Sequence, residues 1–315
     1  MQTECFLGID TSNYTTSLGL VSREGEILAN IKRPLPVAAG ERGLRQSDAL
    51  FAHTKNLPSA MEELGGALVG KRLVAVGVSG RPRNVEGSYM PCFLAGVAAA
   101  HTASAIHGVP LYTFSHQCGH LMAALHACGR ADLLSHPFGA FHVSGGTTEL
   151  VRAKKIKNGF AVSCVGGAKD LHAGQAIDRI GVALGLSFPC GPALEQLALQ
   201  NDKKIPRKKV ALDGCYVNLS GLENMAIKLY RETGDAPLVA AFVFDFLGNA
   251  IAGMARAYLD TYGKEPLLFA GGVMSNGIMR KKLQAMFDGA FAPPALSADN
   301  AVGTALLTAA AHFTA

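Results

Sequence analysis

The chain has 315 residues, of which 49% are hydrophobic and 17% charged, with 36 glycines and a formal charge of +5. Its length predicts two domains of about 150 residues each. The composition excludes a disordered chain, and glycines in local clusters rather than at every third position exclude a collagen. So small a net charge does not by itself mark a nucleic-acid binder. The seven cysteines include no Cys-x-x-Cys pair, so no disulfide framework or zinc ribbon is readable, and the absence of tryptophan argues against an aromatic sugar platform. A start without a basic segment, and an apolar stretch from Cys92 to Ile106 that is too short to span and contains His101, predict a cytoplasmic protein with no membrane segment.

Phe6 to Ile9 reads as a short strand ending at Asp10, followed by the polar turn Thr11-Ser12-Asn13-Tyr14 and the strand Thr15 to Val21. Leu73 to Ser79 reads as a buried strand, Phe93 to Ile106 as an alanine-rich helix and Val109 to Phe114 as a strand. A second hairpin runs from Ala140 through Ser144-Gly145-Gly146 to Val151. At an offset of 132 residues (144 − 12), Ser12, Thr15, Thr16 and Leu18 match Ser144, Thr147, Thr148 and Leu150, a sign of duplicated halves. Gly174 to Leu184 and Leu238 to Tyr262 have helical spacing, and Leu267 to Ala270 is a strand ending in Gly271-Gly272. Alternating strands and helices predict an α/β architecture.

Several loops carry chemistry. Ser144-Gly145-Gly146-Thr147-Thr148 offers bare backbone N–H groups to a phosphate, although a tight turn has the same form. Gly271-Gly272-Val273-Met274-Ser275-Asn276 lies between a strand and the basic helix Met279 to Leu283. It suits adenine and ribose, or else is a strand-to-helix turn with Ser275 or Asn276 as N-cap. His116 and His120, four apart, share one helical face and can share a metal, although the spacing alone favours the plainer reading of two partly exposed histidines at a helix start. Gln117 stands where a zinc protease needs a glutamate base, and Cys118 points away from both histidines. Asp299-Asn300 opens the small-residue segment Ala301 to His312, either as an N-cap or as a third metal ligand. Asp10 and Asp178 are candidate phosphate-metal or ribose ligands, with turn capping and a solvated helix face as the plainer readings.

Ile9-Asp10-Thr11-Ser12, His116 with His120, Val143-Ser144-Gly145-Gly146-Thr147, Gly174-Gln175-Ala176-Ile177-Asp178-Arg179, Ser220-Gly221-Leu222, Gly271-Gly272-Val273 with Asn276, and Asp299-Asn300 occur in one order. That order resembles the TsaD family, bacterial transferases that make threonylcarbamoyladenosine in tRNA, over nearly the whole chain. The resemblance implies the actin/sugar-kinase-like (ASKHA) fold, two duplicated ribonuclease-H-like α/β domains around a central nucleotide cleft. It places the domains at 1–115 and 116–299, with a helix over 300–315 packing back on the first. It implies one divalent metal, iron or zinc, held by the catalytic residues His116, His120 and Asp299, and an adenine nucleotide, ATP or an acyl-adenylate. Asp10, Ser144, Gly145, Gly146, Thr147, Asp170, Gly174, Asp178, Gly191, Gly271, Gly272 and Asn276 would line that nucleotide. Expected partners are tRNA and accessory proteins of the threonylcarbamoylation pathway.

Lys203, Lys204, Arg207, Lys208 and Lys209 would steer RNA or form a solvated loop, and Arg280, Lys281 and Lys282 are similarly open. The sequence departs from the family's pattern at Asn13 to Thr16, at Leu44 to Leu50, at Arg81 to Tyr89, at Thr147 where histidine is usual, and at Glu223 where lysine is usual. These departures border the acyl and RNA side more than the phosphate side, and admit a nucleotide-binding scaffold or a carbamoyltransferase with another acceptor. A sugar-type kinase would need a carboxylate base that Asn13, Tyr14 and Thr15 do not provide.

Overall fold

A computed structural model describes residues 2–12, 14–36, 44–157, 159–293, 296 and 301–314. β1 (Thr3–Ser12) and β2 (Thr15–Ser22) form the expected first hairpin, pairing Ile9 with Leu18 and Thr11 with Thr16. β6 (Phe138–Val143) and β7 (Thr148–Ile156) form the second, pairing Phe141 with Leu150 and Val143 with Thr148. Adding 132 to the first set of pairs gives the second, so the duplication extends to strand register.

The sheets repeat the same plan. With β3 (Ile27–Pro34), β4 (Lys71–Arg81) and β5 (Leu111–Ser115), the first sheet has the order β3-β2-β1-β4-β5. The second adds β8 (Gly159–Ala168), β11 (Leu267–Ala270) and β12 (Gly289–Phe291) in the order β12-β11-β6-β7-β8. The short strands β10 (Tyr216–Val217) and β9 (Leu212–Asp213) extend its far edge. In each sheet a hairpin strand pairs in parallel with the next strand inward, β1 with β4 and β6 with β11.

The chain divides into two compact units. The first comprises Met1–Gly129, Lys155–Ala161 and Leu296–Ala315, the second Arg130–Lys154 and Val162–Ala295. In the first, Cys5 to Ser12 is buried continuously along β1, as a strand covered on both faces requires. α1 (Gln46–Leu68) and α2 (Phe93–His107) contribute to the apolar cluster of Ile9, Leu18, Leu20 and Val76, while α9 (Val302–Thr314) packs on β1, β2 and β4. A Cβ on Gly8 would fall 2.4 Å from the Ala301 oxygen, so α9 lies flush on the strand. α9 also crosses α3 (His116–Ala127), where a Cβ on Gly303 would meet the Gly119 oxygen at 1.8 Å. Close backbone approach at Gly119 therefore sets the position of the histidines on either side of it in sequence.

The second unit inserts α4 (Ala173–Ala183), α5 (Gly191–Ala198), α6 (Ser220–Thr233) and α7 (Ala236–Tyr262) between β8 and β11, then adds α8 (Gly277–Gln284). α7 is long and apolar enough to cross a membrane by length and composition. However, 83% of its most apolar window is buried, and Phe242, Phe246, Met254 and Tyr258 form part of the unit's core. Burying each such side chain is worth about 1.5–3 kcal/mol.

Candidate metal centre and nucleotide loops

β5 ends at Ser115, whose hydroxyl accepts the Cys118 N–H at 3.3 Å and starts α3 at His116. Four residues make about one helical turn, so His116 and His120 meet. Their Nε2 atoms are 2.9 Å apart, with ring centroids at 4.3 Å and planes at 80°. On its other edge, His116 Nδ1 lies 2.7 Å from Asp10 Oδ2. Asp10 is 1% exposed, and its Oδ1 accepts the Ser12 N–H at 2.9 Å. Cys118 faces elsewhere: its sulfur receives the Asn84 amide at 3.1 Å and lies 3.6 Å from the Phe160 carbonyl.

At this distance the two rings share an N–H···N hydrogen bond, and two imidazole nitrogens aimed at one point are the donor set a borderline divalent cation takes at about 2.0–2.1 Å from each, so the pair's chemistry fits the expected metal. Asp299, the expected third ligand, and Asn300 lie outside the described residues. Among the described residues, no group of three His, Cys, Asp or Glu side chains converges as a metal site.

In the second unit, the Ser144 N–H donates to the Thr147 carbonyl at 2.8 Å and closes the glycine turn. Added Cβ atoms at Gly145 and Gly146 would meet nothing within 4 Å, so that backbone is open. Gly174, in the first turn of α4, is pressed against it, since a Cβ there would sit 2.5 Å from Gly145 Cα. Gly271, at φ +101°, abuts the Val143 carbonyl, whereas Gly272 is open. The fold thus gathers Ser144 to Thr147, Gly174 and Gly271 at the N-terminal end of α4, a glycine-lined backbone of the kind that binds anions.

The other expected nucleotide residues are engaged in different ways. Asn276 caps α8, its Oδ1 accepting the Met279 N–H at 2.9 Å. Asp178 accepts the Cys190 N–H at 2.8 Å and so fixes the loop leading to Gly191 at the start of α5. Asp170 accepts from the N–H groups of Leu171, Leu219 and Ser220 and from the Ser220 hydroxyl, capping α6. Burial pushes the Asp170 pKa up, but the Ser220 hydroxyl and these N–H groups outweigh it and hold the carboxyl below its usual range.

The sequence leaves one partnership and one residue unseen. Thr148 Oγ1 accepts the Ala173 N–H at 2.9 Å and ties the glycine turn's strand to α4; its offset match to Thr16 was visible, but its partner was not. His53 on α1 is fully buried, with Nδ1 2.8 Å from Thr16 Oγ1, which also receives the Asn56 amide at 3.3 Å. Its Nε2 and the Ser12 hydroxyl are buried without hydrogen-bond partners. Burial lowers the His53 pKa, while the Ser12 backbone and the Asp10 charge pull the other way. The available signal was its place four residues after Ala49 on the buried face of the helix.

Among the basic residues, Lys203 pairs with Asp235 and Lys282 with Asp245, while Lys204, Arg207, Lys208 and Lys209 are exposed on an irregular stretch. Glu223 lies 3.4 Å from Arg179.

Comparison with known proteins bears on the family and the fold. The TsaD family, tRNA N6-adenosine threonylcarbamoyltransferase, matches residues 36–306. Relatives of that name from Streptococcus suis (strain 05ZYH33) and Streptococcus thermophilus (strain CNRZ 1066) are each 30% identical. The matches cover 90% and 96% of this chain and 84% and 90% of theirs. Among solved structures, T. kodakarensis HypF superposes with a TM-score of 0.60 at 13% identity, covering 98% of this chain and 47% of that one. A ROK family glucokinase from Streptomyces griseus, in complex with glucose and AMPPNP, gives 0.52 at 15% identity, covering 96% and 99%. These likenesses show the actin/sugar-kinase-like fold. The family match and the 30% identical relatives establish that the chain belongs to the TsaD family of tRNA N6-adenosine threonylcarbamoyltransferases.

Proposed function

We propose that the protein moves a threonylcarbamoyl or closely related carbamoyl group from an acyl-adenylate to N6 of an adenosine in tRNA, with one divalent metal, iron or zinc, at His116, His120 and Asp299. The observation that carries this reading is the convergence of the two Nε2 atoms at 2.9 Å in a chain of this family. A divalent ion bound there supplies Lewis acidity toward the carbamate carbonyl.

The remaining work falls to the chain. The Ser144 to Thr147 turn and the first turn of α4 offer N–H groups to the adenylate phosphate, and bare glycines let it approach. Asp178, with Oδ1 engaged at Cys190, has Oδ2 to accept from a ribose hydroxyl; Asn276, with Oδ1 engaged at Met279, has its amide N–H groups for the nucleoside. Gly191 and Gly272 flank the nucleotide without side chains. Lys204, Arg207, Lys208 and Lys209 draw in the RNA backbone, a cytoplasmic partner, alongside accessory proteins of the same pathway.

The test incubates purified protein with threonylcarbamoyl-adenylate and tRNA lacking the modification. The expected result is AMP release with a matching gain of mass on the tRNA. No AMP release overturns the reading. AMP release without tRNA modification, with the acyl group recovered on another molecule, supports a different acceptor, the second reading favoured by Glu223 and its contact with Arg179 at a position where the resemblance implies lysine.

A further inference from the structure

We propose that Asp10 is a positioning residue for the histidine pair, fixing the proton of His116 on Nδ1 so that the lone pair of Nε2 faces His120. This rests on the reading of that pair as a metal site. A carboxylate presents only lone pairs, so the ring nitrogen 2.7 Å from Asp10 Oδ2 must carry the hydrogen. The other carboxylate oxygen is already fixed by the Ser12 N–H at 2.9 Å, and the Ser17 hydroxyl reaches the Asp10 carbonyl at 3.3 Å. Asp10 is therefore a buried anion locked in orientation by the hairpin, with its lone pairs directed along the strand end at His116. With Nδ1 protonated, Nε2 of His116 is a pure acceptor 2.9 Å from Nε2 of His120, so His120 supplies the proton of that hydrogen bond, and a cation would take both lone pairs at about 2.0–2.1 Å from each nitrogen, to one side of the line joining them. Carboxylates that accept the outer N–H of a ligating histidine commonly orient the ring and raise its basicity. The corresponding position of the second hairpin, 132 residues on, is His142, so this acid belongs to the first half alone.

Asp10→Asn separates orientation from charge. The amide has one oxygen; if that oxygen keeps the Ser12 N–H, the amide nitrogen faces His116 Nδ1 and drives the ring proton to Nε2, against His120. The experiment records long-range imidazole ¹⁵N spectra and Co(II) titrations of the full-length protein, for the wild type and for Asp10→Asn. Expected are an Nδ1–H tautomer for His116 in the wild type, its loss in the variant, and Co(II) affinity lower by about ten- to a hundredfold. An Nε2–H tautomer in the wild type overturns the proposal without recourse to any variant, as does a variant that keeps both the tautomer and Co(II) affinity within about twofold. A wild type that binds no Co(II) but shows an Asp10-dependent Nδ1–H tautomer sinks the metal reading and upholds the positioning role.

Discussion

The two hairpins share one register, yet their tips have been put to different uses. In the first, the strand end carries Asp10, which holds His116, and the tip has no paired glycines. In the second, the same stretch carries Gly145-Gly146 against the start of α4. One tip is built from side chains and suits metal chemistry; the other is stripped to backbone and suits a phosphate. What persists is a threonine hydroxyl that ties each hairpin to the first helix after its sheet's third strand. Thr16 reaches His53 and Asn56 of α1, and Thr148 reaches the Ala173 N–H of α4. Duplication thus preserved the fastening and left the tips free to diverge.

The sharpest way to break this comparison is at the helical groups that the two hairpin ends face. Replacing His116 and His120 together by alanine should lower transfer by roughly a thousandfold, about 4 kcal/mol, with AMP binding by calorimetry unchanged. Loss of AMP binding as well would show that the tips do not divide the work. Next, Gly174→Val, whose added atoms collide with Gly145, should weaken AMP binding by about ten- to a hundredfold through misplaced N–H donors while metal content stays constant.

The fastening predicts smaller, paired effects. Thr148→Val leaves the first N–H of α4 without its partner and should cost about 1–2 kcal/mol in denaturant unfolding, along with some AMP affinity. Thr16→Val should cost about 1–3 kcal/mol without touching AMP binding, because His53 Nδ1 loses its partner. Equal effects of both on AMP binding would erase the contrast.

The smallest effect is one of pH. Burial lowers the folded pKa of His53, so the unfolded chain binds the proton more readily. Stability is then fully present above about pH 6.5, the unfolded histidine value, and falls as pH drops from there toward the lower folded value. His53→Gln should flatten that slope in thermal melts recorded between about pH 7 and 5.

Much of this was legible in the chain. The hairpins, the alanine-rich helix near Phe93 and the helix before Gly263 follow from periodicity and turn residues. The pairing of His116 with His120 follows from helical spacing alone. His53 was hidden, because a histidine on an apolar helix face carries no local mark of its partner. The family resemblance makes Asp170 a nucleotide ligand; its carboxylate is surrounded by donors from the start of a helix some fifty residues away, a partnership that no local pattern encodes.

The sequence by itself determined the two hairpins and several of the helices and strands, the 132-residue repeat and the kinds of chemical group each loop carries, because periodicity, turn chemistry and spacing are local properties of the chain. Only the tertiary structure decided which groups meet: Asp10 with His116 across 106 positions, Gly174 with Gly145, and Gly303 with Gly119. Those meetings depend on how closely sheets and helices can approach. Close packing settles that distance, and a few glycines permit it.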